Sequence, residues 1–381
     1  MKTIITLFLS ITFLSCSTVQ TTKNPMNEID NFLVKQVEED ETPSIHYVIF
    51  SKDSIIHKFQ FGYSDIRNQN RVSENTTYNA YSVTKTFTAL SILQLAEKGK
   101  LNIDQPVNKY LPGFPYPSEI TIRQLMTHSS GIPNPIPLSW IHLADEHHHF
   151  DGKKFFAGIF VDNNKTKSLP NEKYAYSNLG YVLLGQVIEK ISGLSYENYI
   201  RENIIKPLEL DPTELDFEIN DIEQHAKGYQ KRLSFINLIL GFLIDKGKYV
   251  DITEGKWNSF KPFYVNGVSY GGLIGTSNAF VKYIQELLQP NSKLISDEYK
   301  KILFTENYTN DNKQTGMCFS WFNGKLNGEQ YFAHAGGGGG YYCEIRIYPE
   351  IGIGSVVMFN RTGVSDERFL DELDKYFMNK K

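Results

Sequence analysis

Ser82-Val83-Thr84-Lys85 is the only S-x-x-K in the 381 residues, and it opens an apolar stretch. Residues i and i+3 share a helix face, so a helix starting here would set Lys85 beside the Ser82 hydroxyl. A serine hydroxyl is a poor nucleophile until a base takes its proton. A lysine amine becomes such a base when burial or nearby positive charge lowers its pKa, and the partial positive charge of a helix N-terminus acts in the same direction. The Ser82 backbone N–H could also point at an oxyanion. Taken alone, the motif is better read as a capping serine and a surface lysine. Its uniqueness and its place at the head of an apolar helix weigh the other way.

Tyr176-Ser177-Asn178 is the second candidate, again just before an apolar run. A phenol beside a cationic lysine can titrate below its usual ~10 and serve as general base. An asparagine amide can hold a substrate carbonyl. Y-x-N also starts at Tyr196, Tyr264 and Tyr308, so the pattern alone is weak, and its order and its context just before an apolar helix set Tyr176 apart. The third candidate is His334-Ala335-Gly336, followed by Gly337 to Gly340. Glycines there would let a substrate approach the backbone, and the Gly337 N–H could complete an oxyanion hole with that of Ser82. A flexible hairpin with a chance histidine is the plain alternative. Nothing matches a phosphate-binding G-x-x-x-x-G-K-[ST].

These groups need elements to carry them. Ser44 to Phe50 and Ser54 to Tyr63 read as an antiparallel hairpin. Ser82 to Lys98 has helical apolar spacing and stops at Gly99, and a second helix starts at Thr121 with Gln124 completing a capping box. Asn178 to Ile191, ended by Gly193, and Ser277 to Leu288, ended by Pro290, are further helices. Gly316 to Phe322, Glu329 to His334, Tyr341 to Tyr348 and Gly352 to Phe359 are strand-like, with Asn323-Gly324 and Pro349-Glu350 among their separators. Strands at both ends and helices between them imply an α+β fold. One antiparallel β-sheet is built from N- and C-terminal strands and flanked by helices, with a mainly helical lobe inserted. Phe235 to Ile244 is apolar but too short to span a bilayer, and reads as a buried helix or, alternatively, a lid or membrane-touching patch.

Taken in order, S-x-x-K, Y-x-N and H-x-G resemble the serine β-lactamase and penicillin-binding protein superfamily, most closely its class C, DD-peptidase and esterase branch. Gly99 through Pro112, Ile120 through Gly131 and Gly271-Gly272 through Thr276 are similar too, so the resemblance spans roughly residues 30 to 360. It implies a β-lactamase/transpeptidase-like fold and an acyl-enzyme mechanism without cofactor or metal. Ser82 would be the nucleophile, Lys85 and Tyr176 would move protons, and Asn178, His334, Gly336 and Gly337 would bind substrate. The substrate would be a small molecule or a cell-wall peptide: an ester, an amide or a D-alanyl-D-alanine-type peptide. The chain departs from the β-lactamases of this branch at His334, where they carry Lys. A histidine of unperturbed pKa ~6.5 is mostly neutral at pH 7, which weakens the case for β-lactam hydrolysis. Arg346, on the following strand, is another cation that could meet a substrate carboxylate.

Other readings compete. Gly267-Val268-Ser269-Tyr270-Gly271 matches the G-x-S-x-G elbow of α/β-hydrolases, but no series of parallel strands precedes it. His142, Asp145, Glu146, His147, His148, His149 and Asp151 form a dense donor cluster. Neighbouring histidines on an extended segment point apart, so a solvated loop is preferred to a metal site. His128 reads as a capping or packing residue. A non-catalytic lipoprotein that binds peptidoglycan peptides is the alternative of another class.

Hydrophobic residues make up 41% and charged residues 22%, ordinary for a globular chain, and the net charge of −4 gives nucleic acid no reason to bind. Lys2 and the apolar run Ile4 to Leu14 read as a signal peptide over 1–15. Phe13-Leu14-Ser15-Cys16 resembles a bacterial lipobox, so lipid on Cys16, a tether over 16–30 and a catalytic domain over 31–381 are expected. Within that domain, 31–80 and 265–381 would form the sheet lobe and 81–264 the helical lobe. The protein would then sit in the bacterial cell envelope, held to the membrane by its N-terminal lipid and facing the periplasm or the cell surface. Cys318 and Cys343 are expected to stay free, each in its own strand-like segment. Oligomeric state is left open.

Overall fold

The computed structural model describes residues 25–234, 245–362 and 368–378. Cys16, the segment 1–15 and the run Phe235 to Ile244 lie outside the described residues. The first described element is a helix, α1 (Pro25–Glu38), where the tether was expected to run on to residue 30. Proline suits a first helical turn, whose N–H groups have no partner within the helix. Ile29 and Leu33, four apart on one face, are fully buried, each burial contributing about 1.5–3 kcal/mol.

The N- and C-terminal strands meet in one sheet, as the sequence implies. β1 (Ser44–Ser51) and β2 (Ile55–Asp65) form the expected hairpin. With β3 (Asn70–Arg71), β12 (Phe322–Leu326), β13 (Glu329–Gly338), β14 (Tyr341–Tyr348) and β15 (Ile353–Phe359), they build a seven-stranded sheet of order β12-β13-β14-β15-β1-β2-β3. Every neighbour is antiparallel, and β15 closes on β1 from Ile45 opposite Phe359 to Ser51 opposite Ile353. Both faces are covered, which is why these strands are apolar on both sides. Val48, Phe50, Ile345, Ile347, Val356 and Met358 face the large core, while Tyr47, Ile49, Tyr348, Val357 and Phe359 belong to a second core that includes α1 residues.

One strand is displaced from its expected place. Residues 316–321 are irregular, and β12 begins at Phe322, with its turn at Asn327-Gly328 rather than Asn323-Gly324. Asn327 and Gly328 both take positive φ, 50° and 93°, as a two-residue type I′ hairpin requires.

Around the sheet lie α2 (Thr84–Glu97), α3 (Ile122–Met126), α4 (Gly152–Asp162), α5 (Asn178–Ser192), α6 (Tyr196–Ile200), α7 (Val268–Gly271), α8 (Ser277–Leu288) and α9 (Leu370–Asp374). The Thr121–Gln124 capping box forms at the head of α3, and Gly193 ends α5 in the left-handed conformation. Three small sheets accompany them: β4 (Thr77–Asn79), β11 (Ile274–Thr276) and β6 (Leu215–Asp216); β5 (Ile141–Leu143) and β10 (Phe263–Val265); β7 (Tyr229–Lys231), β9 (Trp257–Phe260) and β8 (Val250–Glu254). Cys318 and Cys343 are buried free thiols.

Candidate active site

Ser82 sits in a 3-10 turn, Tyr81–Val83, that runs directly into α2. The turn is reached through Tyr81, whose φ of 47° is left-handed and costs a non-glycine residue about 1–3 kcal/mol. One helical turn on, the Lys85 Nζ lies 3.0 Å from Ser82 Oγ and donates to the Tyr270 carbonyl of α7 at 2.8 Å. Lys85 is fully buried and pairs with no carboxylate among the described residues. Burial holds its pKa well below the ordinary lysine value. The rings of Tyr176, Tyr270 and Tyr181 surround the amine at 5.0, 5.1 and 5.6 Å. Such faces favour a cation by ~0.5–2 kcal/mol each, but without a counter-charge the loss of solvation wins. A neutral amine beside a serine hydroxyl can take its proton.

Tyr176 enters just before α5, which Ser177 caps by accepting from Gly180 N–H. Its ring stacks on His128 at 4.2 Å. His128 is therefore a packing residue, but of this site: fully buried at φ 53°, it accepts the Ser177 N–H on Nδ1 at 3.0 Å and backs the Tyr176 ring. Asn178 is the first residue of α5, and its buried Oδ1 has no hydrogen-bond partner among the described residues. This is the atom an incoming N–H could use.

β13 crosses beside the Ser82 turn, and its glycines serve this crossing. A Cβ on Gly336 would lie 2.3 Å from Ala80 O and 2.5 Å from Ser82 N. One on Gly339 would strike the Tyr81 hydroxyl and the Phe263 ring, and one on Gly340 would strike Gly228. The run thus lets one backbone approach another, not only a substrate as the sequence suggested. Gly337 alone in the run 336–340 is exposed, with no atom closer than 3.5 Å to an added Cβ, so its backbone is open to a ligand.

His334 lies beneath this edge, 1% exposed, with Nδ1 against the Ser320 carbonyl. A carbonyl only accepts, so Nδ1 carries the proton and neutral His334 has only a lone pair on Nε2. Burial, with a smaller contribution from Lys85, lowers its pKa to about 3. Arg346 gives no substitute cation. It projects from the opposite face of the sheet, fully buried, and donates to Glu344 at 2.8 Å and Asp371 at 2.5 Å.

The competing motifs lie elsewhere. Ser269 Oγ is buried and donates to the Tyr181 carbonyl at 2.9 Å, so it is no elbow nucleophile. What sequence reasoning missed in that segment is the neighbouring Tyr270 carbonyl that holds Lys85; its only signal was the similar Gly271-Gly272 stretch. The 142–151 segment is not a simple solvated loop: His142 is buried, bonded to Asn266 and His147, and stacked on Phe150. Among the described residues no three His, Cys, Asp or Glu side chains converge as a metal site.

Comparison with known proteins agrees with this fold. The family described as Beta-lactamase matches residues 29–376, nearly the whole chain. The chain belongs to the β-lactamase family. It is 29% identical over 295 residues to penicillin-binding protein 4* of Bacillus subtilis, covering 75% of this chain and 61% of that one. Among solved structures it is similar to an octameric penicillin-binding protein homologue from Pyrococcus abyssi, with TM-score 0.71, 27% identity, and 88% and 73% of the two chains covered. The D-amino acid amidase of Ochrobactrum anthropi SV3 shares the fold, with TM-score 0.74, 18% identity, and 93% and 99% covered.

Proposed function

We propose that the protein hydrolyses small esters, amides or D-amino-acid peptides through an acyl-enzyme on Ser82. The observation that carries this reading is the buried Lys85 amine, without a carboxylate partner among the described residues and 3.0 Å from Ser82 Oγ. Lys85 takes the Ser82 proton as Oγ attacks the substrate carbonyl. The N–H groups of Ser82 and Gly337 hold the resulting oxyanion, and Asn178 holds the substrate amide. Lys85 and Tyr176 return a proton to the departing alcohol or amine, leaving the acyl group on Ser82. Water then attacks, gives its proton back through the same pair, and frees the acid. The neutral ring of His334 favours substrates without a carboxylate beside the scissile bond, hence esters and amino-acid amides over β-lactams.

The test is a fluorophosphonate probe with a panel of p-nitrophenyl esters, nitrocefin and D-Ala-D-Ala peptides. Wild type should label and turn over an ester, and folded Ser82→Ala should do neither. Labelling that persists and maps to Ser269, or no labelling of wild type, would defeat the reading. For the N-terminus we propose that Cys16 carries lipid and holds the protein in the cell envelope. Cys16→Ser should release it from the membrane fraction, and unchanged partitioning would count against the anchor.

A further inference from the structure

A cavity of about 600 Å³ opens away from the hydrolytic site, within the ~300–1,000 Å³ usual for small-molecule pockets. Ser82, Lys85, Tyr176 and Asn178 do not line it. Two sequence features with no role in hydrolysis meet there: Gly267-Val268-Ser269 of the G-x-S-x-G match, and His142 with His147 of the histidine cluster.

One wall is aromatic. Phe150 stacks on His142 at 4.1 Å, and His147 packs on Tyr264 at 4.3 Å. The hydrogen bonds give this wall a direction. Asn266 Oδ1 accepts from His142 Nδ1 at 2.8 Å, so His142 Nε2 accepts from His147 Nδ1 at 2.8 Å. A neutral His147 ring is then left with a lone pair on Nε2. The charges around the cavity lean the same way. Asp151, Glu189, Glu197 and Glu218 line it against Lys153 and Arg201. Both cations are already engaged, Lys153 with Glu189 at 3.3 Å and Arg201 with Asp216 at 2.8 Å. Glu197 has no cation partner among the described residues.

The floor of the cavity is the back of α7. Val268 and Ser269 face it, and the next residue, Tyr270, holds the Lys85 amine. Ser269 is bonded to its neighbours at both ends: its Oγ donates to the Tyr181 carbonyl, and its carbonyl accepts from Thr88 Oγ1 at 2.6 Å. A ligand pressing on this floor therefore acts on the same short helix that holds Lys85.

We propose that this cavity is an effector site for a small aromatic ammonium, bound between the aromatic wall and Glu197, which alters turnover through α7 and Lys85. Aromatic faces, a histidine acceptor and an unpaired carboxylate suit a flat cation and repel a carboxylate. The coupling half rests on the hydrolytic reading above; the binding half does not.

The experiment is calorimetric titration of wild type and Ser82→Ala with 2-phenylethylammonium, 2-phenylethanol and phenylacetate. The ammonium should bind both proteins alike, the alcohol about tenfold more weakly or worse, and phenylacetate not measurably. Glu197→Gln should weaken the ammonium by about fivefold or more and leave basal ester hydrolysis unchanged, and Gln186→Trp, which fills the cavity from α5, should abolish binding. With wild type, saturating ammonium should change kcat for an ester at constant KM. Equal binding of phenylacetate, binding indifferent to both substitutions, or purely competitive inhibition would overturn the site. Binding at the expected residues with an unchanged kcat would overturn the coupling. If no ester is turned over at all, the hydrolytic reading fails while the calorimetry still decides the cavity.

Discussion

The neutral state of His334 fixes how selectivity should respond to pH. A histidine with an unperturbed pKa of ~6.5 would go from mostly neutral at pH 8 to about 97% charged at pH 5. The charged ring would hold a substrate carboxylate by a charge-assisted bond worth roughly 1.5–3 kcal/mol, or about one to two decades in rate. Selectivity for anionic over neutral substrates would then climb steeply as pH falls. The buried ring, with a pKa of about 3, is only about 1% charged at pH 5. The ratio of kcat/KM for nitrocefin to that for p-nitrophenyl acetate should therefore stay within about twofold from pH 8 to 5. Ionisation of Lys85 and Tyr176 acts on both substrates and divides out. His334→Gln, which removes the titrating ring, should leave the same flat ratio. A tenfold or greater rise on acidification, with a midpoint near 6.5 and lost in His334→Gln, would refute the argument from burial and tautomer.

Lys85→Met should lower kcat/KM by about 10²–10⁴ while leaving stability equal or higher, because a buried amine without counter-charge gives way to an apolar chain of similar length. Urea unfolding and ester turnover check the two halves, and a variant retaining a tenth of the activity contradicts the base assignment. Arg346→Met should cost about 3–5 kcal/mol by stranding Glu344 and Asp371, with turnover per folded molecule unchanged; a loss in the urea midpoint worth under ~1 kcal/mol would contradict it. His46, His225 and His334 are buried with pKa values of about 3, 4 and 3. Because the unfolded chain then binds more protons below ~6.5, stability should fall as pH drops from ~6.5, by up to about 1.4 kcal/mol per pH unit for each ring. His46→Gln should flatten that slope by about one ring's share, and urea midpoints that do not change between pH 7 and 5 would speak against it.

The sequence was most informative where a signal is local. S-x-x-K needs only one helical turn to bring Lys85 to Ser82, and the Thr121–Gln124 box closes within four residues. The antiparallel sheet was also within reach, because strands at the two ends of one chain have few ways to bury both faces. Local signals failed where two equivalents competed. Asn323-Gly324 and Asn327-Gly328 are the same dipeptide four residues apart, and only pairing with β13 selects the second. The helix at Pro25 was hidden because its buried stripe, Ile29 and Leu33, is short and lies in a polar stretch.

What would make Lys85 a base is not local at all. The amine is sealed by rings from residues 176, 181 and 270, and held by a carbonyl 185 positions away in the chain. No motif of four residues specifies that environment. The same four residues on a solvated helix would keep an ordinary charged lysine, and Ser82 would be no more than a cap. The bare Gly336 follows the same logic, since it lets β13 and the Ser82 turn meet more closely than a side chain would allow. Replacing Gly336 by Ala should therefore disable the site without touching any group that does chemistry. The added Cβ would lie 2.5 Å from the Ser82 nitrogen that is to hold the oxyanion, and it cannot be accommodated unless the strand or the turn moves. Since a displacement of about 1 Å can cost ~10²-fold, kcat should fall by about that factor although Lys85 and Ser82 are themselves unaltered. Gly337→Ala, with only ordinary contacts around its Cβ, should lose far less. Equal losses at the two positions would show that the glycines serve substrate access alone, and that the crossing of β13 over the Ser82 turn has no part in shaping the site.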